Sequence, residues 1–279
     1  MEQPVKGQVA IVTGAGQGIG RAIALRLSQD GMKLVLADLQ GDAVAHVADE
    51  IRAGGGEALA LSVNILHADE RESMIQTALS IYHRLDALVN NAGVQRIALP
   101  LDVSEEHWDL VMNVNAKATY FCCQLALQHM LGQRSGRIVN MASVAGKMAS
   151  TTYHPIYNAS KAAVLAITKT LAQYSARYGV RVNAVCPGMI ETPMQDVVDR
   201  EVARLTGQTP AEIRTERNAR IPLGYIGDGA DAAARWRHSH LLDVKEEALD
   251  SRSVSTRRKS CSCNRGQPWS GIWHGGRTC

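Results

Sequence analysis

Six short, mostly apolar runs separated by stretches of helical period constrain this chain before any other feature does. Val9-Ala10-Ile11-Val12, Leu34-Val35-Leu36-Ala37, Leu59 to Val63, Leu85 to Val89, Arg137 to Met141 and Arg181 to Val185 read as strands. The intervening segments read as helices: from the glycine turn to about Ser28, Val44 to Ala53, Glu70 to His83, Trp108 to Leu131, and Tyr157 to Tyr178 with Gly179 as a stop. Apolar strands alternating with helices imply a parallel sheet covered by helices on both faces. No internal repeat is present.

Composition narrows the classes. At 279 residues the chain holds one large domain or two small ones. A hydrophobic share of 46% with 20% charged residues is ordinary for a soluble globular protein. No apolar run approaches a membrane span and the N-terminus lacks a charged-then-apolar signal segment, so a cytoplasmic protein without a membrane partner is expected. Cys122, Cys123 and Cys186 sit in apolar surroundings, as reduced core cysteines do. Residues 235–279 hold nine Lys and Arg against four Asp and Glu, a surplus of five. The first 234 residues therefore carry about −2 of the whole-chain +3, and charge offers no case for a nucleic-acid partner.

The first strand runs into Thr13-Gly14-Ala15-Gly16-Gln17-Gly18-Ile19-Gly20. The spacing is G-x-x-x-G-x-G, with Ile19 where G-x-G-x-x-G would place its third glycine. Glycines let the backbone turn sharply and approach a pyrophosphate at the N-terminus of the helix that follows. A strand before and a helix after this turn make it a dinucleotide site. Asp38 ends the second strand eighteen residues past Gly20. A carboxylate there can accept from both hydroxyls of an adenosine ribose and repels a 2′-phosphate, although an Asp can also simply cap a helix. With no basic residue at Gln17 or Leu39, the expected cofactor is NAD.

Further polar groups stand at strand ends, where open α/β sheets place ligands. Asn90-Asn91-Ala92-Gly93 follows the fourth strand, Ser143 closes the fifth, and Cys186-Pro187-Gly188-Met189-Ile190-Glu191-Thr192 ends the sixth. Taken singly, these read as turn or capping residues; Thr192 in particular can cap the next helix. Asn115 lies inside a helical stretch that an amide disfavours. Tyr157 and Lys161, four residues apart on a helix, share a face. A nearby ammonium favours the phenolate, so the Tyr157 pKa is expected to fall, as a proton donor and acceptor at a carbinol oxygen requires. The nine histidines show no ligand spacing, and no metal is expected.

Together these motifs resemble the short-chain dehydrogenase/reductase family over about residues 5 to 234. Thr13-Gly-x-x-x-Gly-Ile-Gly20, Asn90-Asn-Ala-Gly93, Asn115, Ser143, Tyr157-x-x-x-Lys161 and Pro187-Gly188 occur in family order and spacing. The resemblance implies a Rossmann-like, doubly wound α/β domain with Tyr157 as general acid or base. It implies that Lys161 holds the nicotinamide ribose, that Ser143 orients the substrate oxygen, and that Asn115 anchors a water relay to Lys161. Gly14, Gln17, Gly18, Ile19, Gly20, Asp38, Asn64, Ile65, Asn91, Ala92, Gly93, Tyr157, Lys161, Pro187, Gly188, Ile190 and Thr192 are the expected cofactor contacts. Asn64 replaces a frequent Asp as the partner of the adenine amino group. Ser143, Gln95, His154 and Tyr157 are the expected substrate contacts, and a dimer or homotetramer is the assembly the family implies.

Two regions depart from a generic member. Residues 191–220 form a long polar, helix-prone insertion like those of sugar-alcohol and diol dehydrogenases, and Gln95, Lys147 and His154 add polarity. The expected substrate is accordingly an alcohol or ketone in a polyol, diol or sugar. The alternatives are a 3-oxoacyl thioester reductase, against which Asp38 and Gln17 argue, and a non-catalytic dinucleotide sensor or assembly subunit. After about residue 234 the family pattern stops. Three of four tryptophans and three of six cysteines fall in the last 45 residues, and apolar periodicity disappears. The expected cause is a reading-frame shift near residue 234. It divides the chain into a catalytic domain, 1–234, and a poorly ordered tail, 235–279, with the last strand altered or missing; Cys261-x-Cys263 is too isolated for zinc.

Overall fold

The computed structural model describes residues 5–148, 151–222 and 224–236, with side chains described to residue 233. The strands are β1 (Val9–Thr13), β2 (Lys33–Asp38), β3 (Glu57–Ser62), β4 (Ala87–Asn90), β5 (Gly136–Met141) and β6 (Val180–Val185). The helices are α1 (Gly18–Gln29), α2 (Gly41–Ala53), α3 (Ala68–Tyr82), α4 (Glu105–Met112), α5 (Thr119–Gln133), α6 (Pro155–Ser175), α7 (Pro193–Thr206), α8 (Pro210–Ala219) and α9 (Gly229–Trp236). All described strand pairs are parallel, in the order β3-β2-β1-β4-β5-β6. The chain winds outward from β1 in one direction and, from β4, in the other. The crevice at the carboxyl ends of β1 and β4 is therefore the topological switch point.

Strand side chains alternate between faces, so neighbours in β1 serve different cores. Val12, Leu34 and Leu36 pack with Ile23, Leu27, Val44 and Ile51 of α1 and α2, and Ala233 of α9 joins the same cluster. Ile11, Val35, Leu88 and Ile138 pack on the other face against Met74, Cys122, Met130 and Leu171 of α3, α5 and α6. Both faces are dry, which is why the central strands carry hardly a polar side chain.

Two local outcomes differ from the sequence expectation, while the insertion is helical as expected. The helix expected from Trp108 to Leu131 is interrupted by a π-helical segment, Asn113–Ala118, between α4 and α5. Its widened turn is supported by Thr119 Oγ1, which donates to the Asn115 carbonyl at 2.8 Å. The Tyr157 helix begins at Pro155 and ends at Ser175. A 3₁₀ turn, Ala176–Tyr178, then leads to Gly179 at φ +74, where an added Cβ would lie 2.7 Å from the Arg134 carbonyl oxygen. The insertion at 191–220 folds as α7 and α8. The boundary expected at 234 falls inside α9, and the seventh strand and Cys261-x-Cys263 lie outside the described residues. Among the described residues no helix is long and apolar enough to cross a membrane, and no group of side chains is arranged to hold a metal ion.

Leu88 is fully buried in the middle of β4. Leu88→Ala is expected to lower the unfolding free energy by about 2–5 kcal/mol, read as an earlier midpoint in urea with an unchanged slope.

Candidate active site

A cleft of about 740 Å³ opens at the carboxyl ends of the strands. It brings together every expected site residue except Gly20 and Asn115. Both exceptions stand just behind its wall.

The glycine turn is shaped by what crosses it. Gly14 and Gly18 adopt φ +63 and +55, a region that costs a side-chain-bearing residue energy. Asn91, expected as a cofactor contact, also buttresses this turn. Its Nδ2 donates to the Thr13 and Gly14 carbonyls at 3.2 and 2.9 Å. Thr13 Oγ1 accepts from the Asn91 and Ala92 amides and donates to the Val89 carbonyl. Gly20 makes room for this arrangement rather than facing the cleft: a Cβ there would fall 2.0 Å from the Gly14 oxygen and 2.5 Å from Asn91 Nδ2.

Asp38 ties the same turn to β2. Its Oδ2 accepts from the Gly16 amide and its Oδ1 from the Gln40 amide, both at 2.9 Å. Each oxygen keeps a lone pair for a ribose hydroxyl. Asn64 Oδ1 accepts from the Leu66 amide at 3.0 Å, an Asx turn that shapes the loop holding Ile65 and Leu66. Its expected acceptor is thus partly engaged by its own backbone. Across the cleft, Thr192 caps α7 by accepting from the Gln195 amide. A Cβ on Gly18 would lie 3.4 Å from Thr192 Cγ2, so the two walls nearly meet there. Open glycine backbone at a helix N-terminus, a carboxylate at the end of β2 and a buried lysine beyond it fit a nicotinamide dinucleotide.

The proton-bearing groups lie at the other end. Tyr157 is packed in a largely dry setting, which raises its pKa; a hydrogen bond with Ser143 works in the opposite direction. The depressed phenol pKa expected from Lys161 is therefore not found: burial raises it and outweighs the opposing Ser143 hydrogen bond. Lys161 Nζ lies 5.5 Å from the Tyr157 ring centroid and donates to the Met141 carbonyl at 2.6 Å. Burial lowers its pKa to about 8, as it does for any ammonium moved out of water. Ser143 also caps a 3₁₀ turn by accepting from the Ala145 amide. Asn115 is fully buried. Its amide bonds the Val94 backbone through both atoms and donates to Ser160 Oγ, so the side chain braces the loop after Gly93. Its backbone carbonyl accepts from Thr119 Oγ1.

Gln95 Nε2 lies 2.9 Å from His154 Nδ1, and the His154 ring centroid is 6.1 Å from that of Tyr157. An amide nitrogen only donates, so Nδ1 accepts and the ring proton sits on Nε2. Burial holds the His154 pKa near 4, leaving the imidazole neutral. Lys147 is exposed and outside the cleft lining. Sequence reading missed a buried amide chain in which Asn90 donates to Asn140 and Asn140 to Thr168, at 2.9 and 3.0 Å, joining β4, β5 and α6. It also missed Asp199 and Arg217, which line the cleft from the insertion. No local spacing announces either group.

Comparison with known proteins places this geometry. The family model described as short chain dehydrogenase matches residues 8–203. The 3-oxoacyl-(acyl-carrier-protein) reductase of Synechocystis sp. is 45% identical over 195 residues, 70% of this chain and 78% of that protein. The corresponding FabG reductase of Thermotoga maritima is 36% identical, covering 82% and 88%. Among solved structures, an NAD⁺-bound xylitol dehydrogenase superposes with a TM-score of 0.80 at 28% identity, covering 84% of this chain and 92% of that one.

Two outcomes follow. Gly20→Ala is expected to cost about 1–3 kcal/mol of stability and to weaken NADH binding, read by thermal melting and by nucleotide fluorescence. The second concerns pH. The His154 pKa is lower folded than unfolded, so the unfolded chain binds more protons between pH 6.5 and about 4. This group's contribution is full above pH 6.5 and lost as pH falls toward 4. In urea titrations across that window, His154→Gln is expected to flatten the acid limb.

Proposed function

Because the chain belongs to the short-chain dehydrogenase family, we propose that it catalyses NAD-linked, reversible oxidation of a secondary alcohol in a polyol, diol or sugar. That it is an oxidoreductase working between carbinol and carbonyl groups with a nicotinamide dinucleotide follows from the family and its relatives. The choice of NAD is argued from Asp38, whose carboxylate would repel a ribose 2′-phosphate. The polyol is argued from one observation: a neutral Gln95–His154 pair lies beside Tyr157 inside the cleft. Such a pair offers hydrogen bonds to further hydroxyls without the cost of burying a charge.

The bound nicotinamide would supply the hydride acceptor at the carbinol carbon. The rest falls to this chain. Gly14, Gly18 and Asp38 seat the dinucleotide, and Ser143 and Tyr157 meet the substrate oxygen. Tyr157 takes the hydroxyl proton in oxidation and returns it in reduction. Since burial favours the neutral phenol, losing its proton depends on positive charge close by, which Lys161 carries below about pH 8. Lys161 would then relay the proton outward to water, and the Asn115 carbonyl would serve only to anchor that water by accepting a hydrogen bond.

A second reading, reduction of a 3-oxoacyl thioester, draws on the Synechocystis relative at 45% identity. It also draws on the apolar cleft wall of Met189, Met194, Val198, Val202 and Ile213. One experiment decides between them. NADH formation is measured with NAD⁺ or NADP⁺ on xylitol, sorbitol and 2,3-butanediol, alongside oxidation of NADH and NADPH by acetoacetyl-CoA. Turnover of a polyol or diol with NAD⁺, falling by about 10²–10⁴-fold in Tyr157→Phe while NADH still binds, is the expected result. Faster reduction of acetoacetyl-CoA, with no polyol or diol oxidised, would replace the first reading with the second.

A further inference from the structure

Helix α8 forms part of the outer wall of the cleft, through Ile213, Glu216 and Arg217. A ten-residue helix normally stays in place by burying an apolar stripe, yet α8 has no buried residue. Its start is well specified, with Pro210 in the first turn and a reciprocal capping box between Thr209 and Glu212. These features let it form without saying what holds it against α7.

The attachment is ionic. On α7, Asp199 is only 3% exposed in its side chain and lies among Val198, Val202 and Ala203. A carboxylate in such a setting must be compensated. Arg217 of α8, itself 10% exposed, donates to both Asp199 oxygens. Gln195 Nε2 donates to Oδ1 at 2.9 Å, and Arg214 Nε stands 3.8 Å away. A second rung joins Arg214 to Asp196 at 2.9 Å. On each helix the two partners are three residues apart, which puts them on one face.

We propose that Asp199 and Arg217 are positioning residues: their ion pair fixes α8 as the outer wall of the cleft, where the half-buried Ile213 is too small an apolar anchor to do so alone. The proposal rests on reading this cleft as the substrate pocket. The groups that meet the dinucleotide and the reacting oxygen stand on the strand ends, the glycine turn and α6, so loosening α8 leaves them in place. The effect should therefore fall on binding of the alcohol.

The test is amide hydrogen exchange on the full chain saturated with NADH, for wild type, Arg217→Gln, and Arg217→Gln combined with Asp199→Asn. The single change leaves the buried carboxylate with only Arg214, 3.8 Å away, as a cation; the double change removes both charges of the pair and keeps hydrogen-bonding side chains. Exchange in residues 210–219 is expected to rise about tenfold or more in the single variant and to recover substantially in the double. Exchange in α1 and α6 should be unchanged, and NADH affinity should hold within about twofold. With xylitol as the probe, KM should rise and kcat change less. Unchanged exchange in α8, equal effects in single and double variants, or a rise that spreads to α1 and α6 would each overturn the proposal. Absence of xylitol turnover in the wild type would count against the polyol reading and leave the exchange result to decide this one.

Discussion

The arrangement depends on hydrogen bonds that tie the glycine turn after β1 to the end of β4. Asn91 reaches two carbonyls of the turn, and Thr13 receives two amides from the β4 side. β1 and β4 are neighbours at the switch point, yet the chain leaves them toward opposite flanks of the sheet. Without a tie across that divergence the crevice would have two independent lips. The tie gives it one rigid floor, and the missing side chain of Gly20 is what lets it form. Asp38 adds a second strut from β2.

Burial then sets the chemistry that floor can support. It raises the Tyr157 pKa, lowers that of Lys161 to about 8, and holds His154 neutral. These shifts have one cause, removal of the charged form from water. They leave a phenol with a lysine of adjustable charge 5.5 Å, and an uncharged imidazole 6.1 Å, from its ring centroid. A neutral His154 hydrogen-bonded to Gln95 places polar atoms in the cleft over the ordinary pH range without adding a cation.

Around this core, the insertion after β6 uses a different physics. α7 buries Val198, Val202 and Ala203 and is held as most helices are. α8 is held by charge. A wall attached by few, directional contacts can loosen without disturbing the sheet.

The strands were legible in the sequence because burial on both faces leaves apolar runs, and the turn was legible because its glycines answer a local backbone demand. Asp38, Ser143, Tyr157 and Lys161 could be placed from their spacing, since each follows a strand end or shares a helix face. What only the tertiary structure decided are effects between distant segments. Gln95 meets His154 across 59 positions and Asn115 meets Ser160 across 45. Gly20 serves the packing of the turn, the helix containing Asn115 widens into a π segment, and Tyr157 is tuned upward by the dryness of its surroundings. Periodicity and turn chemistry act over a few residues and are written in order along the chain. Burial and long-range pairing exist only once the chain has returned on itself, and no short stretch of sequence records them.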